Sequence, residues 1–250
     1  MKLCVIPPLN HLELANYGTA DFILAQFVLE YDEYTDFYAS RDTWKIMDNG
    51  AYEERQSLDT DELLEAVARV QPNVVVVPDI PREPEASFTL SKNFLEEVSQ
   101  STETNCLWMV VPHGENVQEF MRYVEKFIAL RKELKWDYIG LSILDLYKWN
   151  FRARPLVVRE IHYLSRVHGF YIHLLGLDEP VELQAYRGMD IESVDTSLPI
   201  TRAARGERIH FMTEWKPLPR IDLQKTRLTR KQYELAAYNI RVLRTLCDWI

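Results

Sequence analysis

Short apolar runs closed by polar, glycine-punctuated stops recur along this chain at an even spacing. Trp44–Met47 ends in Asp48-Asn49-Gly50, Val74–Pro78 in Asp79, Cys106–Val111 in Pro112-His113-Gly114, Tyr138–Leu141 in Ser142, and Phe170–Leu175 in Gly176. From position 48 to 79, 112, 142 and 176 the steps are 31, 33, 30 and 34 residues. One strand plus one crossover helix of a parallel β/α protein takes about that length. Adding Leu3–Ile6, Phe37–Ala39 and Ile191–Val194 makes eight strand candidates, the count of a closed barrel. The runs 74–78 and 106–111 are almost continuously apolar, as strands covered on both faces must be.

Helical periodicity fills the intervals. Asp59 with Glu62 reads as a capping box ahead of Leu63, Leu64, Val67 and Val70 on one face. Val117–Leu134 carries apolar residues at three- and four-residue steps, and Pro155–Val167 and Pro180–Tyr186 open on prolines suited to a first turn. Ala236, Ile240, Leu243, Cys247 and Ile250 predict a closing helix over 229–250 with a buried, inert Cys247. The fold expected is α/β, a (β/α)8 TIM barrel, with residues 1–250 as a single domain.

Composition changes this picture little. At 250 residues, 47% hydrophobic and 27% charged, the chain can bury a full core. No apolar run is long enough to span a bilayer, and Leu3–Ile6 is too short for a signal-peptide core. Cys4, Cys106 and Cys247 form neither a metal spacing nor a disulfide framework, which predicts a reducing, cytoplasmic setting. The net charge of −9 argues against a general nucleic-acid coat. Its distribution is uneven: residues 201–231 hold nine Lys or Arg against three acids, +6, which leaves −15 for the rest. Such an edge reads equally as a local polyanion track or as a solvated basic surface.

Asp48, Asp79 and Asp195 each follow an apolar strand at the end where a barrel opens to solvent. A carboxylate there can serve as nucleophile, proton shuttle, hydrogen-bond acceptor or metal ligand. Singly, each suits a loop or cap; together with Gly50, Gly114 and Gly176, which let backbone approach a flat ligand, they read as one site. His162, His168 and His173 make no ligand set and read as satisfied structural histidines.

The segments around these acids resemble the tRNA-guanine transglycosylases. Met47–Glu53 is similar to that family's Asp-Ser-Gly-Gly-Phe-Gln, and Val77-Pro78-Asp79 falls where its second acid stands. Val111–Gly114 resembles its Gln-Gly segment, Tyr138–Ser142 its Ile-Gly-Gly-Leu, and His173–Gly176 its Tyr-Leu-Met-Gly. Ser193–Arg202 resembles Phe-Asp-Cys-Val-x-Pro-Thr-Arg, with Ala203–Gly206 continuing it. The six segments run in family order over residues 44–206. The family's Cys-rich zinc site has no counterpart after Arg202, where only Cys247 and His210 remain. Short and zinc-free, the chain looks most like the compact phage DNA-guanine transglycosylases, which place 7-deazaguanines in DNA and are often labelled queuine tRNA-ribosyltransferase-like.

The resemblance implies base exchange by two displacements, with DNA and a free 7-deazaguanine as substrates and no cofactor or zinc. It makes Asp195 the nucleophile and Asp48 the general acid and base. Asp79 accepts from the amino and ring N–H edge of the base, the Gly140–Leu141 backbone meets its exocyclic oxygen or a neighbour, and Tyr52 and Leu175 sandwich the ring beside Gly176. His113-Gly114 stands where the family has Gln-Gly; the imidazole reads either as a donor to the base or as a loop histidine. Arg202 and Arg205 would clamp phosphates, Arg208, Lys225 and Arg227 would extend the track, and Tyr147, Trp149 and Trp215 would flank a flipped nucleotide, though each taken singly reads first as ordinary rim packing. The alternatives are a zinc-free tRNA enzyme, a nucleoside or base hydrolase, and a non-catalytic subunit; the presence of both Asp48 and Asp195 weighs against the last.

Overall fold

A computed structural model describes residues 1–51, 57–99, 105–143, 153–177, 179–210 and 219–250. Its elements are β1 (Lys2–Val5), β2 (Ala20–Leu24), α1 (Ala25–Glu30), α2 (Asp32–Ala39), β3 (Lys45–Asp48), α3 (Thr60–Val70), β4 (Val74–Val76) and α4 (Pro84–Ser99). There follow β5 (Leu107–Val110), α5 (Val117–Leu130), β6 (Tyr138–Ser142), α6 (Ala153–His168), β7 (Tyr171–Leu175), β8 (Ser193–Thr196), α7 (Leu198–Ala204) and α8 (Arg230–Asp248). Leu9–Tyr17 and Pro180–Tyr186 are 3₁₀ segments. The strands pair in sequence order, all parallel, and β8 closes on β1 to complete a (β/α)8 barrel.

The second strand differs from the sequence expectation. Phe37–Ala39 is the last turn of α2, and Ala20–Leu24 is the strand. Tyr34 and Tyr38, four residues apart, turn one buried face inward, while Asp32 and Glu33 complement the first turn of α2. The true strand was concealed by Asp21, a 1% exposed carboxylate in an otherwise apolar run. Arg41 neutralises it at 2.7 and 3.0 Å, and Thr43 adds a hydroxyl. A buried charge is tolerated on these terms, paired and hydrogen-bonded.

Elsewhere periodicity and structure agree. Asp59 accepts from the Glu62 N–H at 2.9 Å, closing the expected capping box on α3. Thr229 caps α8, which carries the fully buried Ala236, Ile240 and Leu243 against the barrel. Strand alternation then sorts the side chains: Phe22, Leu24, Asp48, Val76, Val111, Ser142, Leu175 and Asp195 converge on the carboxyl end of the barrel interior. Among the described residues no helix is long and apolar enough to cross a membrane.

Candidate active site

The carboxyl ends of the strands enclose a pocket of about 610 Å³ of empty space, counting solvent at its open side. Asp48, Asp79, His113, Leu175, Gly176 and Asp195 all line it, together with Asn49, Ser142, Phe22 and Arg220. The polar groups form two arcs.

The first arc is built by β3, β4 and β5. Asp48 ends β3, and its Oδ2 accepts the Gly50 N–H at 3.2 Å. Gly50 turns there with φ +81°, a conformation that favours glycine. Asn49, 1% exposed, donates from Nδ2 to Val77 O at 2.7 Å and to Asp79 Oδ1 at 2.6 Å. Its Oδ1 accepts the Ala51 N–H at 2.9 Å, so the amide is oriented. The other oxygen of Asp79 lies 2.5 Å from His113 Nε2, with both side chains buried. Asp79 therefore enters the pocket as a carboxylate whose two oxygens each already hold one protein donor.

The second arc belongs to β7 and β8. Asp195, 5% exposed, accepts the Gly176 N–H at 2.9 Å and faces His173 Nε2 at 3.1 Å, both through Oδ1. Its Oδ2 has no hydrogen-bond partner among the described residues. Gly176 has φ +79°, and a Cβ there would stand 2.9 Å from Ile143 Cγ2. Its carbonyl accepts from the fully buried Arg154 at 2.6 Å, so Gly176 is held at both its N–H and its carbonyl. Cys4 pairs with Asp195 across β1 and β8, and its thiol is pushed well up by burial and then by the Asp195 charge. It stays protonated and does not compete as a nucleophile.

Other expected site residues sit elsewhere. Gly140 and Leu141 are buried in β6 and do not line the pocket; Ser142 and Ile143 do. A Cβ on Gly140 would meet Leu175 Cδ1 at 2.8 Å and Met109 Sδ at 2.9 Å, so interior packing accounts for this glycine. A Cβ on Gly114 would fall 2.4 Å from Phe120 N, so that glycine admits the first turn of α5. Arg202 is 5% exposed and paired with Glu207 at 2.6 Å, turned away from a clamp. Arg205, Arg208, Lys225 and Arg227 are exposed but off the pocket lining; Arg220, counted in sequence only as part of the basic edge, is the cation at its rim. Tyr52, Tyr147, Trp149 and Trp215 lie outside the described residues.

Asn49 is a contact not expected from the sequence, and His173, expected as a satisfied structural histidine, has a partner at both ring nitrogens, one of them Asp195. Both had a signal: Asn49 follows a strand-end aspartate, and His173 shares strand parity with Leu175 and so had to point inward. Among the described residues no three His, Cys, Asp or Glu side chains gather as a metal site. Compared with known proteins, the chain matches no protein-family model and no curated protein.

Proposed function

We propose that this barrel is a guanine transglycosylase that exchanges guanine in DNA for a 7-deazaguanine base through a covalent aspartyl-sugar intermediate. The observation that carries the reading is the division of the acids. Asp79 and its two donors form a polar edge on one side of the pocket, and Asp195 offers one unpartnered carboxylate oxygen on the other. A planar base held at the first arc would present its glycosidic carbon to the second.

In the first displacement Asp195 Oδ2 bonds to C1′ as the C1′–N9 bond breaks. The electron pair leaves with guanine, which takes a proton from Asp48. The incoming deazaguanine returns that proton to Asp48 as its ring nitrogen attacks C1′ and Asp195 departs, so configuration is retained. Asp79 accepts from the amino and ring N–H edge shared by both bases, and the His113 imidazole beside it supports the anion or meets the six-position oxygen. Leu175 covers one face of the ring. Arg220, with Arg205, Arg208, Lys225 and Arg227 beyond it, supplies cations for the phosphates flanking an extruded nucleotide.

The test is base exchange with guanine-containing duplex DNA and tRNA in parallel, given 7-cyano-7-deazaguanine, with digested nucleosides read by mass spectrometry. A deazaguanine nucleoside in DNA alone is the expected result. Product in tRNA alone overturns the substrate, free guanine without exchange points to a hydrolase, and no reaction on either nucleic acid refutes the enzyme.

A further inference from the structure

The polar atoms beneath the pocket floor bear on the reaction as much as those that line it. His173 precedes Leu175 by two residues on β7, so it points into the barrel one layer below the lining. It is fully buried, its ring stacked on Phe22 with centroids 5.7 Å apart and planes within 6°. Stacking alone is served equally by phenylalanine. What needs an imidazole is the pair of polar contacts: Nδ1 is 2.7 Å from Ser193 Oγ, and Nε2 is 3.1 Å from Asp195 Oδ1. Ser193 stands in register with His173 across β7 and β8, so the strand ladder sets this geometry.

We propose that His173 is a positioning residue, holding Asp195 by Oδ1 so that Oδ2 is the attacking oxygen. This rests on the transglycosylase reading above. A carboxylate only accepts, so the shared proton lies on Nε2, and Nδ1 of the neutral ring accepts from the Ser193 hydroxyl. The Asp195 carboxylate thereby sets the tautomer, the Ser193 hydroxyl holds the far edge of the ring, and the Gly176 N–H supplies the second donor to the same oxygen. When Oδ2 bonds to C1′, Oδ1 becomes the ester carbonyl and keeps both donors. When the second base displaces the sugar, the electron pair returns to the carboxylate and those donors stabilise the leaving anion.

Two variants test this in the exchange assay. His173→Phe keeps the stack on Phe22 and removes both polar contacts; kcat should fall roughly 10- to 100-fold with KM for the free base within about twofold. His173→Gln restores a donor near the Nε2 position and should recover most of the loss. Should His173→Phe fold poorly around the stranded Ser193 hydroxyl, the His173→Phe, Ser193→Ala double variant removes that group and should show the same kcat loss. Wild-type protein that exchanges no base refutes the transglycosylase reading, and this inference with it. Active wild type with His173→Phe unimpaired, or with His173→Gln as slow as His173→Phe, overturns the positioning role alone.

Discussion

Substituting Asp79 by asparagine separates a base-recognising carboxylate from a structural one. Asn49 Oδ1 is held by the Ala51 N–H and Nδ2 by Val77 O, so Asn49 must keep donating toward the near atom of residue 79. In Asp79→Asn the amide oxygen therefore stays opposite Asn49, and the NH₂ replaces Oδ2 where His113 Nε2 lies 2.5 Å away. Two donors meet there unless the imidazole moves its proton to Nδ1, which a neutral ring can do. Losing a charge-assisted bond costs about 1.5–3 kcal/mol and the new neutral bond returns about 0.5–1.5. Net destabilisation is then about 1 kcal/mol, a Tm drop of roughly 2–4 °C for a barrel of this size. Binding suffers more, because the N–H edge of guanine now faces an NH₂. A lost bond to a charge together with a stranded donor costs about 3 kcal/mol, roughly 150-fold in Kd. Calorimetric titration with guanine and with hypoxanthine, which lacks the 2-amino group, measures this. Wild type should prefer guanine and Asp79→Asn should lose that preference. If the variant binds guanine within threefold of wild type while its Tm falls, Asp79 is a clamp between the β4 and β5 loops, and the base-edge assignment is wrong.

Three further outcomes are expected. Asp195→Asn can still accept from His173 and Gly176 through its amide oxygen, so Tm should shift little while exchange falls at least about 10⁴-fold and no protein–DNA adduct survives a denaturing gel. Retained exchange would sink the covalent route. Gly114→Ala drives a Cβ into the Phe120 backbone and should cost about 1–3 kcal/mol, read as a Tm loss of several degrees. Cys247 is pushed up to about 12 by burial, against a usual 9.0. The unfolded thiol releases its proton first, so its contribution is intact below pH 9 and is lost as pH rises toward about 12. Three pH units correspond to about 4 kcal/mol, and Cys247→Ala should flatten that part of the alkaline denaturation profile.

Fold and site were legible in sequence to different degrees, for physical reasons. Strand ends announced themselves because parallel strands buried on both faces are continuously apolar and then stop at the mouth, as at Val74–Asp79. The strand at Ala20–Leu24 did not, because Asp21 breaks the run and its neutralising partners, Arg41 and Thr43, lie about twenty residues on. The acids Asp48, Asp79 and Asp195 were placed by strand position alone and converge on one pocket. The glycines were read less well: Gly114 and Gly140 carry the same residue type as Gly176, yet their space is filled by Phe120 and by Leu175 and Met109. Which neighbour fills a missing Cβ is a tertiary fact with no local signature. Arg202 shows the same limit, since a basic residue after the last strand turns inward to Glu207.

The three aspartates occupy equivalent positions at the mouth but differ in what holds them, and that difference distributes the proposed chemistry. Asp79 has a donor on each oxygen, from Asn49 and His113, so it is fixed in the plane that both donors define. A group so held can read the edge of a ring; moving to attack a carbon would sacrifice one of those bonds. Among the described residues Asp195 has both its donors on Oδ1, leaving it anchored at one end and open at the other. Asp48 is more accessible than either and bonds the Gly50 N–H through Oδ2. The proposed roles of reader, nucleophile and proton carrier are assigned by the donors each strand end supplies. Those donors are backbone N–H groups, an amide and two imidazoles, whose placement is set by barrel register rather than by the aspartates themselves.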